Sequence, residues 1–255
     1  MEMIRLARLM SERGYCTRGE IGSFLRSGRI KVSGEVARTG RVKVNPEEVT
    51  FDDEPLDPGR LYIIMNKPEG FTCSHKDMGD LVYDLLPARW LRRNPPVSCA
   101  GRLDKDTDGP LLFTDDGELL HKLISPRCHA LKVYEAYLDA PFPQDGEKAL
   151  KEGGLILEGD DKPLLPADLD RKADDHFIVT LSEGRYHQVK RMFSAFGCQV
   201  VKLSRLTFAG IGVQNLAPGA YRHLNEAEKM RLFSSFQKSG IQDAKQHDVQ
   251  SFGGQ

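Results

Sequence analysis

The segment GRLDKDTDG, residues 101–109, contains the densest group of reactive side chains in the chain. It places three carboxylates within five positions, at Asp104, Asp106 and Asp108. Carboxylates grouped in this way can bind a cation, act as a nucleophile or base, or cap backbone N–H groups in a turn. A turn accounts for Asp106 and Asp108, but it leaves Arg102 and Asp104, which stand between two apolar runs, without a role.

The calcium interpretation of this segment is incomplete. Its spacing D-x-D-x-D-G matches the opening of an EF-hand loop. Such a loop needs a bidentate glutamate at its twelfth position, where this sequence has Asp115, and its ninth position is Leu112, which offers no side-chain oxygen. The preceding PPVSCAGR also indicates a strand instead of a helix. We therefore expect no metal site here.

The segments around this loop predict its scaffold. Strand patterns occur in LYIIMNKP, LLFT, KVYEAYLDA, HFIVTLSEG and CQVVKLSRLTF. Helices are predicted after Asp115 and Glu118, which have capping-box spacing, across YHQVKRMFSAFG up to Gly197, and after Asn225 and Glu228. The pattern predicts an α+β fold, with a mostly antiparallel mixed sheet and flanking helices.

The first part of the chain is a separate basic module. Residues 1–45 carry ten Lys/Arg against four Asp/Glu, net +6, whereas the remaining 210 carry 26 against 33, net −7. The sequence predicts a helix ending near Gly14, and a second helix that begins at Thr17, with Glu20 completing a capping box. A strand in RIKVSGEV then turns at Ser33-Gly34. A basic module on an acidic body favours binding to a polyanion, with a solvated basic face as the alternative.

Longer motifs in both parts resemble known families. The wording SGRIKVSGEV and the helix–helix–strand order resemble an S4-type RNA-binding domain over residues 3–50. GRLDKDTDGPLLFTDDGELLHKLISP is similar to the active-site motif of the RsuA-like family of pseudouridine synthases. EGRYHQVKRMF at 183–193 and KVYEAYL at 132–138 resemble two further signatures of that family. One departure is Gly109-Pro110 in place of Gly-Leu, and because proline cannot donate, we expect an unpaired strand start there.

This resemblance implies an rRNA pseudouridine synthase that isomerises a specific uridine in 16S rRNA. It implies Asp104 as the catalytic carboxylate, which attacks the sugar or the base or starts an elimination. Lys190 would be its cationic partner, and Tyr134 the active-site aromatic residue. Arg102 and Leu203 would contact the substrate. The S4-like module would bind RNA through four basic residues, namely Arg18, Arg26, Arg29 and Lys31.

Two alternatives stay open. The chain could be a large-subunit (23S) rRNA synthase of the same family, or a non-catalytic S4-type RNA-binding protein. The segments ISPRCHALKVYEAYL and KPLLPADL look more like the small-subunit enzymes, so the expected partner is 16S rRNA or a partly assembled small ribosomal subunit. Isomerisation conserves every atom and is redox-neutral, so the expected cofactors and metals are none. We also expect a monomer.

Composition and length set the remaining expectations. The five cysteines are odd in number and form no C-x-x-C pair, which favours a cytoplasmic protein without disulfides. No apolar run approaches the length of a membrane span, and the first residues lack a signal-peptide pattern. The predicted organisation is an S4-like domain over 1–52, a linker over 53–60, a catalytic domain over 61–238 and a disordered tail over 239–255.

Overall fold

A computed structural model describes residues 3–125 and 130–234 of the chain. The tail predicted over 239–255 lies outside the described residues. The chain divides into two compact units. The first unit comprises Met1–Leu61, Tyr83–Ser98 and Thr114–Gly117, and the second unit comprises Tyr62–Val82, Cys99–Phe113 and Glu118–Gln255. The sequence-based domain boundaries stay a prediction, since the first unit also takes in two segments from beyond residue 61.

The first unit contains short helices and two small sheets. In chain order its elements are β1 (Ile4–Arg5), α1 (Leu6–Glu12), α2 (Ile21–Arg26), β2 (Ile30–Val32), β3 (Glu35–Val36), β4 (Lys43–Val44), a 3-10 turn (Pro46–Glu48), β5 (Val49–Phe51), β6 (Glu54–Pro55), a second 3-10 turn (Val82–Leu85), whose last three residues belong to this unit, and α3 (Ala88–Leu91). Strands β1 and β4 form a two-stranded sheet, and the other four form a sheet of order β3-β2-β5-β6. The core is formed by Leu6, Met10 and Ile30, which are fully buried.

The predicted local signals of the basic module are present. The Thr17 N–H donates to Glu20 Oε2 over 2.8 Å, and the Glu20 N–H donates to Thr17 Oγ1 over 3.3 Å. This reciprocal pair is a capping box, although the helix itself begins at Ile21, because residues 17–20 form a turn ahead of it. Ser33 and Gly34 both have positive φ, 50° and 84°, which gives the tight turn between β2 and β3.

The predicted helix cap at Asp115 is wrong. Its carboxylate accepts a hydrogen bond from Arg93 Nε over 2.7 Å and one from the Leu61 N–H over 2.8 Å. The Asp115 and Arg93 side chains are 3% and 1% exposed. A buried guanidinium needs a partner far more than an exposed helix end does, because breaking such a pair costs about 3–5 kcal/mol. Burial therefore overrides the local capping pattern, and the calcium interpretation loses its twelfth ligand.

The second unit is built on one large sheet. In chain order the elements are β7 (Tyr62–Lys67), β8 (Ser98–Ala100), β9 (Thr107–Thr114), α4 (Gly117–Ile124), β10 (Lys132–Leu138), α5 (Gln144–Glu152), β11 (Asp168–Ala173), β12 (His176–Leu181), α6 (Gln188–Ser194), β13 (Val200–Phe208) and β14 (Tyr221–His223). Among the described residues the sheet has eight strands, in the order β11-β12-β10-β13-β9-β7-β14, with β8 pairing to β9.

The sheet is mixed and mostly antiparallel, as predicted. Its pairs β11·β12, β12·β10, β10·β13 and β7·β14 are antiparallel, and β13 runs parallel to β9. The pairing of Thr107 with Leu203 places the loop before β9 beside β13. This loop carries Asp104 and Asp106 of the carboxylate segment found in the sequence, and Asp108 lies in β9 itself.

The strand start expected at Gly109-Pro110 is wrong. Strand β9 begins at Thr107, and Thr107 and Asp108 pair with β13. Pro110 is a buried strand residue whose carbonyl accepts two hydrogen bonds from the guanidinium of Arg205, over 2.9 and 2.7 Å. The ladder to β13 ends at Asp108, one residue before Gly109, so the missing proline donor breaks no bond to that strand.

The predicted helix after the second signature is confirmed as α6. Val189, Met192 and Phe193 are buried in one core cluster, and Gly197 has the positive φ of a helix C-terminus, +83°. The helical stretch from residue 226 also begins with the predicted cap, since the backbone N–H groups of Asn225 and Glu228 each donate to the other's side chain. Within the described ranges, no helix is long and apolar enough to cross a membrane.

Candidate active site

An open cleft of about 400 Å³, its mouth included, lies in the second unit. Four residues predicted from the sequence line it, namely Arg102, Asp104, Tyr134 and Leu203. The other lining residues are Leu103, Thr107, Leu181, Glu183, Gly184, Arg185, His187, Gln188 and Val189.

A buried lysine holds the loop that carries Asp104. Lys67, at the end of β7, is fully buried, and its Nζ donates to the carbonyls of Pro68, over 3.0 Å, and Thr107, over 2.8 Å. Burial lowers the pKa of Lys67, while nearby anionic groups, among them Asp108, oppose that shift. Lys67 Nζ also donates to the Lys105 carbonyl over 3.4 Å, so two carbonyls of the Asp104 loop and its end, at Lys105 and Thr107, meet at one cation that fixes the loop relative to β7.

Asp104 lies between two basic side chains. Its carboxylate is 27% exposed, with His187 Nε2 at 3.3 Å and Lys190 Nζ at 3.7 Å. Lys190 makes a closer contact with Asp106, 2.5 Å from Nζ to Oδ1. This hydrogen bond lowers the pKa of Asp106. The predicted pairing of Lys190 with Asp104 is therefore a shared one, in which a single ammonium contacts both carboxylates.

The segment before α6 positions both basic groups. The Arg185 N–H donates to Gln188 Oε1, and Gln188 Nε2 donates to Glu183 Oε1, each over 2.9 Å. The Arg185 guanidinium donates to Asp160 and Glu183. His187 then takes a left-handed backbone conformation, φ 47° and ψ 35°. Such a conformation costs on the order of 1–3 kcal/mol in a non-glycine residue and persists where the surroundings fix it, often at functional sites.

The two tyrosines of β10 have different surroundings. Tyr134 lines the cleft together with Leu203, which is 5% exposed and pairs with Thr107 across the sheet. The Tyr137 ring instead stacks on His176, with centroids 4.2 Å apart, and its hydroxyl donates to Glu135. Strand alternation predicts this separation. Arg102 is exposed at the cleft, and in the described part of the chain it forms no ion pair.

Sequence reasoning missed three contributors to the site. His187 contacts Asp104, Asp106 binds Lys190, and Lys67 clamps the loop. The signal for His187 was present, because it stands in the EGRYHQVKRMF signature three residues before Lys190. Lys67 gave a weaker signal, as a charged residue that follows a run of buried strand positions.

The four basic residues predicted to bind RNA lie in the first unit and differ in their surroundings. Arg29 pairs with Asp52, Nε to Oδ1 2.6 Å, and Lys31 pairs with Asp53. Arg18 and Arg26 are exposed. Across residues 3–125 and 130–234, no three His, Cys, Asp or Glu side chains form a set that could hold a metal ion.

The cleft can support carboxylate chemistry on a planar substrate. A single aspartate flanked by two basic groups can serve as nucleophile or base. An aromatic ring and an aliphatic side chain line the same space and can contact the faces of a base. Asp106 is bound by Lys190 and is not among the cleft residues, so of these two aspartates Asp104 is the one at the cleft.

Comparison with known proteins defines the class. The profile of the family described as RNA pseudouridylate synthase matches residues 61–195. A crystal structure of a pseudouridylate synthase superposes with a TM-score of 0.63 at 36% identity, covering 90% of this chain and 99% of that one. The chain belongs to the family of RNA pseudouridylate synthases, which are isomerases.

The relatives include small-subunit enzymes. The RNA pseudouridine synthase YtzG of Bacillus subtilis is 38% identical over 88% of this chain and 96% of its own length. The ribosomal small subunit pseudouridine synthase A of Escherichia coli K12 is also 38% identical, over 88% of this chain and 98% of its own length. The family, the fold class and the enzyme class predicted from the sequence are confirmed.

Proposed function

We propose that this protein converts one specific uridine of 16S rRNA into pseudouridine, with Asp104 as the catalytic carboxylate. The observation that carries the proposal is the position of Asp104, at the cleft that Tyr134 and Leu203 also line, with His187 and Lys190 within 4 Å. The choice of 16S rRNA is supported by the similarity to the ribosomal small subunit pseudouridine synthase A of Escherichia coli.

The reaction is an exchange of bonds within one nucleotide. The C1′–N1 bond breaks, the base rotates, and a C1′–C5 bond forms. The proton on C5 then leaves, and N1 gains one, so that no atom or electron is lost. Asp104 either attacks the nucleotide or removes the proton that starts an elimination. No metal or redox cofactor takes part in this scheme.

The other cleft residues bind the extruded uridine. His187 and Lys190 contact the Asp104 carboxylate and hold it in a fixed orientation. Tyr134 stacks on the base and so offsets part of the cost of removing it from the RNA, a few kcal/mol of lost stacking. Leu203 contacts the base from the other side. Arg102, exposed at the cleft, contacts the RNA at the place that the uridine leaves.

The first unit supplies RNA affinity that does not depend on sequence. Arg18, Arg26, Arg29 and Lys31 contact phosphates, and a nucleoside cannot supply such contacts. We infer that the substrate is 16S rRNA in a partly assembled small subunit, and that the enzyme acts as a monomer. The cytoplasmic location stays a prediction from the cysteine content.

The Asp104→Asn variant tests the catalytic role. The amide keeps the shape of the carboxylate but loses its charge, so we expect tritium release from rRNA labelled at uridine C5 to fall by at least about 10³-fold. RNA affinity, measured by filter binding, should stay close to that of the wild type. Asp170→Asn is the matched control, since Asp170 is exposed on β11 and pairs with Lys172. Substantial turnover by pure Asp104→Asn enzyme would contradict the assignment.

The substrate is tested separately by mapping pseudouridine in all rRNA from cells with and without this protein. Loss of one site in 16S rRNA is the expected result. Loss of a site in 23S rRNA alone would keep the enzyme class and overturn the small-subunit substrate. Catalytically inactive protein that still binds rRNA would favour the S4-type binding protein.

A further inference from the structure

Tyr186 is an exposed aromatic residue beside the cleft. Its side chain is 70% exposed, so packing in the core does not account for its position. Its ring stacks on the His187 ring, with centroids 3.8 Å apart and an interplanar angle of 20°. His187 is at the same time the residue whose Nε2 lies 3.3 Å from Asp104. A continuous line of contacts therefore runs from the reacting carboxylate through one ring to a second ring in solvent.

The stacked pair is fixed before any substrate binds. The Tyr186 carbonyl accepts a hydrogen bond from Arg191 Nη1 over 3.3 Å, and Arg191 Nη2 donates to Asp160 over 2.8 Å. His187 follows in its left-handed conformation at the start of α6. These contacts hold the backbone that carries the two stacked rings, which reduces the ordering left for the moment of binding.

Stacking on Tyr186 meets a need of the reaction. When a uridine leaves an RNA stack, its neighbour in the chain loses a stacking partner. RNA-binding proteins commonly offer aromatic rings to such bases. We propose that Tyr186 is a binding site for the nucleobase that flanks the target uridine. His187 covers one face of the tyrosine ring, and the flanking base stacks on the exposed ring. This inference rests on the proposed function.

A second tyrosine–histidine stack, formed by residues of β10 and β12, supplies a matched control. Tyr137 and His176 stack with centroids 4.2 Å apart and an interplanar angle of 10°, and neither residue lines the cleft. Tyr137 also donates from its hydroxyl to Glu135, which ties it to the sheet. The two pairs share residue types and ring geometry but differ in their distance from the reacting group.

The first experiment compares Tyr186→Ala, Tyr186→Phe and Tyr137→Ala in tritium release from 16S rRNA. Loss of a base–aromatic stack should lower kcat/KM about tenfold in Tyr186→Ala. Tyr186→Phe keeps the ring and should stay within about twofold of wild type, as should Tyr137→Ala. Equal melting temperatures would show that exposed Tyr186 is not needed for folding. A kcat/KM of Tyr186→Ala equal to that of wild type would overturn the proposed base-binding role of Tyr186.

The second experiment identifies the base itself. At the mapped uridine, rRNAs are assembled by ligation with one flanking nucleotide lacking its base. With wild-type enzyme, loss of the stacked base should lower kcat/KM about tenfold, whereas Tyr186→Ala should show no further loss. A full additional loss in Tyr186→Ala would overturn the inference. If wild-type enzyme releases no tritium from any rRNA, the proposed function is overturned, and the inference about Tyr186 that rests on it is overturned as well.

Discussion

Replacing Gly109 with alanine should displace the strand that follows the proposed catalytic loop. Gly109 has φ +113°, and an alanine Cβ there would lie 2.1 Å from the backbone oxygen of Arg205. That oxygen belongs to β13, the strand that also carries Leu203 into the cleft. Because such an approach is sterically forbidden, either β9 and β13 separate or the backbone around residue 109 rotates.

The expected loss of folding free energy in Gly109→Ala has two parts, and a substitution at a second glycine measures one of them alone. A positive φ costs an L-residue about 1–2 kcal/mol, and overpacking adds about 1–3 kcal/mol. Gly79 has nearly the same φ, +107°, but no atom lies within 4 Å of an added Cβ. Gly79→Ala therefore carries only the first cost. The free energy of unfolding should be lower in Gly109→Ala than in Gly79→Ala by about 1–3 kcal/mol.

Urea unfolding followed by circular dichroism measures this difference, and tritium release from rRNA measures its functional effect. Misplacement of a reacting group by about 1 Å can cost on the order of 10²-fold in rate, so Gly109→Ala should lose kcat under conditions in which it is fully folded. Gly79→Ala should retain its kcat. Equal destabilisation of the two variants, or a wild-type kcat in Gly109→Ala, would show that contact between an added Cβ and the Arg205 carbonyl does not displace the strands.

Two further predictions concern the first unit. Joint replacement of Arg18 and Arg26 by alanine should flatten the plot of log affinity for rRNA against log salt by up to about 1.4–1.8, since each lost phosphate contact lowers the slope by about 0.7–0.9. Lys172→Ala is the control, and an unchanged slope would contradict the RNA-binding role. Burial alone would raise the pKa of Asp57, but hydrogen bonds from Arg89 and its neighbours lower it overall. Its contribution to stability is therefore complete above an ordinary aspartate pKa, about 4, and is lost as pH falls through the lower folded pKa. The difference in unfolding free energy between wild type and Asp57→Asn should shrink in acid. A difference that grows as the pH falls would contradict a lowered pKa of Asp57.

Elements with a strong local pattern could be predicted from the sequence. Helix α6 has its apolar residues at helical spacing and a glycine at its end, and the strand KVYEAYL alternates regularly, so local sequence alone indicates both. The same holds for the capping box of Thr17 and Glu20, which involves only residues three apart. In each case the information lies within one turn or one strand.

Features that depend on distant partners could not be predicted in this way. Asp115 has capping spacing, but buried Arg93, twenty-two positions earlier, binds it. Lys190 was expected to pair with Asp104, yet it lies closer to Asp106. Because more than eighty residues separate Lys190 from both aspartates, the sequence does not indicate which of the two lies nearer. The left-handed conformation of His187 likewise depends on bonds made by its neighbours.

The structure explains why three carboxylates crowd into five positions. Asp104 lies at the cleft, where His187 and Lys190 flank it. Asp106 binds Lys190. The charge of Asp108 opposes the lowering of the pKa of buried Lys67. Each extra carboxylate therefore interacts with a lysine that holds or flanks the reacting aspartate. With only one carboxylate beside Lys67 and Lys190, the loop would have an excess of positive charge. The two additional carboxylates offset the charges of these lysines and leave Asp104 at the cleft.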